Sequence, residues 1–84
     1  MMKGQDMKVT TSKQLSNCLK DTRLSMQLSQ GKVASKVGIR QDTVSKFEQN
    51  PDSTKLATLF KLLSSLNLEI ELKPRGSEYD SASV

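Results

Sequence analysis

The chain has 84 residues, of which 35% are hydrophobic and only three are aromatic, with a formal net charge of +4 and no histidine. That length holds one small domain near the lower limit for a self-sufficient core, and it leaves no room for a deep substrate pocket. A single cysteine, Cys18, excludes an intrachain disulfide and points to a cytoplasmic setting. No apolar run approaches the ~20 residues of a membrane span, and the positive balance suits a polyanionic partner.

Residues 1–10 are polar and read as a flexible arm without the apolar stretch of a secretory signal. Thr11 can cap a helix and Gln14, three residues on, can complete a capping box, so a first helix is expected over 12–25. Leu15, Cys18, Leu19 and Thr22 recur at helical spacing on its inner face, leaving Lys13, Ser16 and Lys20 outside. Ser29 is a good cap for a short second helix over 30–37, with Val33, Ala34 and Val37 as its apolar stripe. Gly38 ends that helix where a left-handed backbone is wanted, and Ile39 packs the turn.

A third helix is expected over 41–49. Its strongly apolar anchors are Val44 and Phe47, so Gln41, Asp42, Ser45, Lys46 and Gln49 leave a wide polar face for something outside the chain. Asn50-Pro51-Asp52-Ser53 stops it. A fourth helix, over 54–66 and capped by Ser53 or Thr54, carries Leu56, Leu59, Leu62, Leu63 and Leu66 on one broad face as the main core element, with Phe60 beside them. Leu68–Lys73 then alternates apolar and charged residues, the pattern of a short strand. No other segment offers it a partner. The economical arrangement is antiparallel pairing with its twin across a two-fold axis, with Leu68, Ile70, Leu72 and Phe60 as the homodimer contacts. The expected organisation is thus an arm over 1–10, a domain over 11–73 with its dimerisation strand at 68–73, and a disordered tail over 74–84.

The stretch 28–50, LSQGKVASKVGIRQDTVSKFEQN, reads as helix, glycine turn, helix. Small Ala34 lies at the crossing while Ile39, Val44 and Phe47 pack the second helix down, which is a helix-turn-helix arrangement. Enzymatic chemistry is disfavoured by the lack of histidine, of a cysteine pair, of a glycine-rich phosphate loop and of a metal-ligand set; Asp42 and Glu48 have no evident acid–base partner. No cofactor and no metal are expected.

These residues resemble the XRE, or Cro/C1-type, helix-turn-helix family. Within it, residues 12–72 resemble the HipB antitoxins of HipA/HipB toxin–antitoxin systems, most specifically in GIRQDTVSKFEQNPD and TKLATLFKLLSSLNLEIEL. The resemblance implies a mainly α, four-helix, lambda-repressor-like domain. It also implies a repressor of an inverted-repeat DNA operator that holds a HipA-like Ser/Thr kinase toxin inactive, in the cytoplasm and with the nucleoid. The third helix becomes the reader of the major groove, which displays a distinct donor–acceptor pattern for each base pair. Positions matching Arg40, Gln41, Asp42 and Ser45 face the bases in HipB-like proteins. Gln41 suits a bidentate pair with adenine, Asp42 can accept from a cytosine amino group, Ser45 permits close approach, and Lys46 reaches guanine or a phosphate. Asp42 departs from the small or neutral residue such proteins carry there, which puts the operator sequence in question and not the binding mode.

The family also implies that Gln30 grips the DNA backbone and buttresses the reading helix. Ser29 and Lys32 at the same helix start, and Thr43, offer further phosphate contacts. Read alone, Gln30 is ordinary surface polarity. An Arg23–Glu48 pair commonly ties the first helix to the end of the reading helix in this family. Two alternatives stay open. One is a stand-alone XRE or Cro-like repressor without a toxin partner, the other a protein-interaction module on the same scaffold; the polar third helix argues against the latter. Any kinase contact is expected on the outer faces of the first and fourth helices, where Lys20, Asp21 and Lys61 are exposed candidates.

Overall fold

Thr11 adopts an extended backbone and its hydroxyl accepts the Gln14 N–H at 3.1 Å, which starts helix α1 (Ser12–Ser25). The return half of the expected capping box is shifted by one residue: Gln14 Oε1 accepts the Thr10 N–H at 2.7 Å. Ser29 does the same for α2 (Gln30–Lys36), its hydroxyl accepting the Lys32 N–H at 3.0 Å. These contacts come from a computed structural model, which describes residues 8–75. The expected arm over 1–10 therefore lies largely outside the described residues, and so does the expected tail beyond Arg75.

Helix α3 (Gln41–Gln49) starts at Arg40 without a side-chain cap. After it, Pro51–Ser53 form a one-turn 3-10 helix, and α4 spans Leu56–Ser65 with Lys55 at its start. Neither Ser53 nor Thr54 caps α4 as expected. Pro51, with its fixed φ, opens a turn of its own that Thr54 closes by donating its N–H to the Pro51 carbonyl at 3.0 Å, so the helix begins two residues late.

Three helices end in the same way. After α1, Gln27 takes φ +60° and the Leu28 N–H returns to the Arg23 carbonyl at 3.0 Å. After α2, Gly38 takes φ +70° and Ile39 N–H returns to Ala34 at 3.0 Å; after α4, Asn67 takes φ +58° and Leu68 N–H returns to Leu63 at 2.8 Å. This left-handed cap satisfies carbonyls that the helix leaves open. It also turns the next apolar residue inward, so that Leu28, Ile39 and Leu68 all pack against the core.

That core is Leu19, Val33, Ala34, Val44, Phe47, Leu59, Leu62, Leu63 and Leu66, with Leu15 packed against it. Two placements differ from the periodicity reading. Ser16 is fully buried, not on the outer face; its hydroxyl donates to the Lys13 carbonyl at 3.0 Å, which removes the cost of burying it. Leu56 is 70% exposed, because it occupies the first turn of α4 at the rim of a groove lined by Leu15, Phe47, Pro51 and Leu59. Ser12 Oγ donates to the Asp52 carboxylate and ties the start of α1 to the 3-10 turn.

Residues 68–75 carry no regular secondary structure, and no strand occurs among the described residues. A strand needs a ladder partner for its N–H and C=O groups, and a single chain offers none. Leu68 tucks against the core while Ile70 and Leu72 stand exposed, as does Phe60 on α4. No helix among the described residues is long and apolar enough to cross a membrane.

The caps give opposite expectations at two positions. Gln27→Gly should stabilise by about 0.5–1 kcal/mol, because a left-handed conformation costs a side-chain-bearing residue about 1–2 kcal/mol and glycine returns part of this as chain entropy. Gly38→Ala should destabilise by about 1 kcal/mol from the backbone alone, since an added Cβ meets nothing within 4 Å. Urea unfolding monitored by circular dichroism measures both.

Candidate nucleic-acid interface

The interface is built around one buried carboxylate. Glu48 lies at the inner side of α3, and its Oε2 accepts from Arg23 Nε of α1 at 2.7 Å. Its Oε1 accepts from Arg23 Nη2 at 3.0 Å and from Gln30 Nε2, in the first turn of α2, at 2.9 Å. Arg23 Nη1 reaches the Leu28 carbonyl, between α1 and α2, at 2.9 Å. Both charged side chains are less than a tenth exposed. One guanidinium–carboxylate fork therefore fixes α1, α2, α3 and the intervening turn at a common point, with fork geometry that lysine could not reproduce.

With Val44, Phe47 and Glu48 turned inward, the opposite side of α3 faces out. Gln41, Asp42, Lys46 and Gln49 are exposed and Ser45 is half-buried among them. The side chains on this face pair at one-turn spacing: Lys46 Nζ sits 3.5 Å from Asp42 Oδ2, and Gln49 Nε2 donates to Ser45 Oγ at 3.2 Å. The Asp42 carboxylate is thus partnered by the cation one turn on. The pair is exposed and adds little stability, but it reduces the repulsion that a lone carboxylate would meet near phosphates.

Arg40 is exposed at the start of α3. The α2 start lies beside it: a Cβ built on Gly31 would come within 3.8 Å of Gln41 Oε1 and 3.9 Å of Ser29 Oγ. Ser29, Gln30, Lys32 and Gln41 are thereby gathered where two helices begin close together. Ser29 Oγ is committed to the helix cap and one Gln30 N–H to Glu48, while Lys32 is exposed and Thr43 half-buried. The structure brings the residues expected to read bases, Arg40, Gln41, Asp42, Ser45 and Lys46, and those of the α2 start onto neighbouring surfaces. Leu68, Ile70 and Leu72 instead belong to the segment after α4.

Two specific contacts escape the sequence reading. The buttressing role implied for Gln30 is realised as a bond to Glu48, 18 positions away, and nothing local announces that partner. Gln49 is placed on the polar face by count, but its bond to Ser45 is visible only in the structure.

The helix-turn-helix family profile matches residues 19–73. The HipB antitoxins of Escherichia coli strains K12 and O6:H1 (CFT073) are 45% identical to this chain over 65 residues, which cover 77% of it and 74% and 69% of theirs. Among solved structures, HipB in a HipA-HipB-O2-O3 complex superimposes with a TM-score of 0.80 at 43% identity, covering 81% of this chain and 96% of that one. HipB in a HipB-O4 20mer complex does so with the same score, identity and coverage.

Removing one partner of a buried ion pair leaves the other charge unpaired, so Arg23→Ala should cost about 3–5 kcal/mol and unfold a large share of the molecules. The double replacement Arg23→Met with Glu48→Leu should cost clearly less than Arg23→Ala, since neither charge is then stranded. Denaturant midpoints of the two proteins decide between these expectations.

Proposed function

The chain belongs to the helix-turn-helix family, among the HipB antitoxins, and we propose on that footing that it is a sequence-specific DNA-binding repressor and antitoxin. As a homodimer it places α3 of each protomer in the major groove of an inverted-repeat operator, and it sequesters a HipA-like Ser/Thr kinase toxin. The observation that carries the reading is the outward polar face of α3, held in place by Arg23, Gln30 and Glu48 at its back. The likeness to HipB in complexes with HipA and with 20mers, read here as operator duplexes, supports both halves of the proposal.

In this reading Gln41, Asp42, Ser45 and Lys46 face base edges, with Arg40 reaching in from the helix start. Ser29, Gln30, Lys32 and Thr43 engage phosphates. Amide groups at the α2 start suit an anion, and the Gln30 amide, oriented by Glu48, keeps a second N–H for a phosphate oxygen. Asp42, where the family resemblance leads one to expect a small or neutral residue, favours a cytosine amino group and hence a distinct operator sequence.

Residues 68–73 supply the dimer contact: Leu68, Ile70 and Leu72 on one side of an antiparallel strand pair, flanked by Phe60. The exposure of Ile70, Leu72 and Phe60 in the single chain supports this, because it is apolar surface a second copy would cover. The reading helices would then lie about 34 Å apart, or a multiple of it, along one DNA face. A stand-alone repressor shares all of this geometry and differs only in lacking the kinase.

The test is anisotropy titration of the DNA upstream of the chain's own gene, with capture of partners from its native cell. Sequence-specific binding should lose about 1–3 kcal/mol per half-site on Gln41→Ala, with a log–log salt slope of roughly −0.9 per phosphate contacted. A salt-sensitive complex that does not distinguish operator from random DNA would sink base reading by α3. Recovery of a stoichiometric kinase identifies the antitoxin, and operator binding with no partner identifies the stand-alone repressor. Separately, Ile70→Lys with Leu72→Lys should yield monomers in sedimentation analysis while leaving the helical spectrum intact; persistence of a dimer would place its contact elsewhere.

A further inference from the structure

Half of the hydroxyls on these helices turn back on their own backbone. Ser16, Thr22, Ser25, Ser35 and Ser65 each donate to a carbonyl three or four residues earlier, at 2.6–3.1 Å. Ser45 does not. Its oxygen accepts a hydrogen bond from the Gln49 side-chain amide at 3.2 Å, and its hydrogen meets no acceptor among the described residues. A serine hydroxyl has one hydrogen and two acceptor positions, and it rotates to suit its surroundings. An amide N–H directed at the oxygen therefore turns the hydroxyl hydrogen away from that donor and towards whatever approaches the half-buried Ser45 from outside.

We propose that Gln49 is a positioning residue for base recognition: by filling one of the two acceptor positions of the Ser45 oxygen and turning its hydrogen outward it biases that hydroxyl towards donating, so that Ser45 favours a base edge that accepts. This rests on α3 being the DNA-reading helix. In the major groove the accepting atoms are N7 and O6 of guanine, N7 of adenine and O4 of thymine, while cytosine presents an amino donor. Ser45 held as a donor prefers guanine or thymine over cytosine on the strand it faces. Serine in general discriminates poorly because it can donate or accept; a neighbour that biases its polarity makes it a more selective reader. Gln49 need touch no base to have this effect.

The polarity can be inverted by one atom exchange. In Gln49→Glu the carboxylate accepts only, so it takes the Ser45 hydrogen and leaves the oxygen facing outward as an acceptor. In Gln49→Met the partner is removed and the hydroxyl is released. The experiment selects binding sites from a random duplex library with the full chain, and finds the Ser45 position as the base pair whose preference disappears in Ser45→Ala. Expected is a preference there of roughly two- to tenfold for guanine or thymine over cytosine, the range of one hydrogen bond. It should reverse towards cytosine or adenine in Gln49→Glu and flatten in Gln49→Met, and neither change should have any effect at that position in the Ser45→Ala background.

An unchanged preference in both Gln49 variants overturns the proposal. Equal shifts with and without the Ser45 hydroxyl also overturn it, because Gln49 would then contact the base itself. A wild-type chain that selects no sequence at all refutes the DNA-reading function instead, which separates the two failures.

Discussion

The orientation of the second helix of the motif depends on a charge held out of water. A carboxylate such as Glu48 is stable below the surface only if its lone pairs are matched by strong donors, and Arg23 with Gln30 supplies three directed bonds. The donors come from two other helices, so the carboxylate is satisfied in one relative arrangement of α1, α2 and α3 and poorly satisfied in others. The apolar contacts of Val33, Val44 and Phe47 provide the attraction, but they are tolerant of small rotations. The ionic fork is directional, and a helix that must present side chains to a groove needs that direction.

The helix ends do complementary work. Each left-handed residue after α1, α2 and α4 reverses the chain within two residues and drops an aliphatic side chain onto the core. The turns are therefore short, and their own packing holds them. Of the three residues that take this conformation, only Gly38 does so without steric penalty. Asn67 tolerates it through its short polar side chain, and Gln27 is kept there by the two hydrogen bonds and the burial of Leu28.

Much of this was legible in the sequence, because much of it is local. Thr11 and Ser29 announce their helices through a side chain and an amide three residues apart, and Gly38 marks its turn. The polar face of α3 follows from counting around a helix with few apolar anchors. What was not legible depends on distant partners. Ser16 reads as surface until one sees the carbonyl that takes its hydrogen in a buried place. Leu56 reads as core by period, and only the ends of the neighbouring elements reveal that it protrudes. The start of α4 was displaced by a proline turn that competes with the serine and threonine caps. The alternation over 68–73 is a pattern that a single chain has no means to satisfy, so it takes no regular form in isolation. The family resemblance supplied the Arg23–Glu48 link and a role for Gln30 in buttressing the reading helix, and the structure added that Gln30 does so through Glu48 itself.

The division of α3 into a buried side and an exposed side separates two kinds of inheritance. Val44, Phe47 and Glu48 answer to folding, whereas Gln41, Asp42, Lys46 and Gln49 face solvent. Substitutions at exposed positions of this kind usually change stability by no more than about 0.5 kcal/mol. Recognition can therefore drift across a lineage without first passing through unfolded ancestors, and duplicated copies of the gene can part company by changing addresses while keeping one architecture.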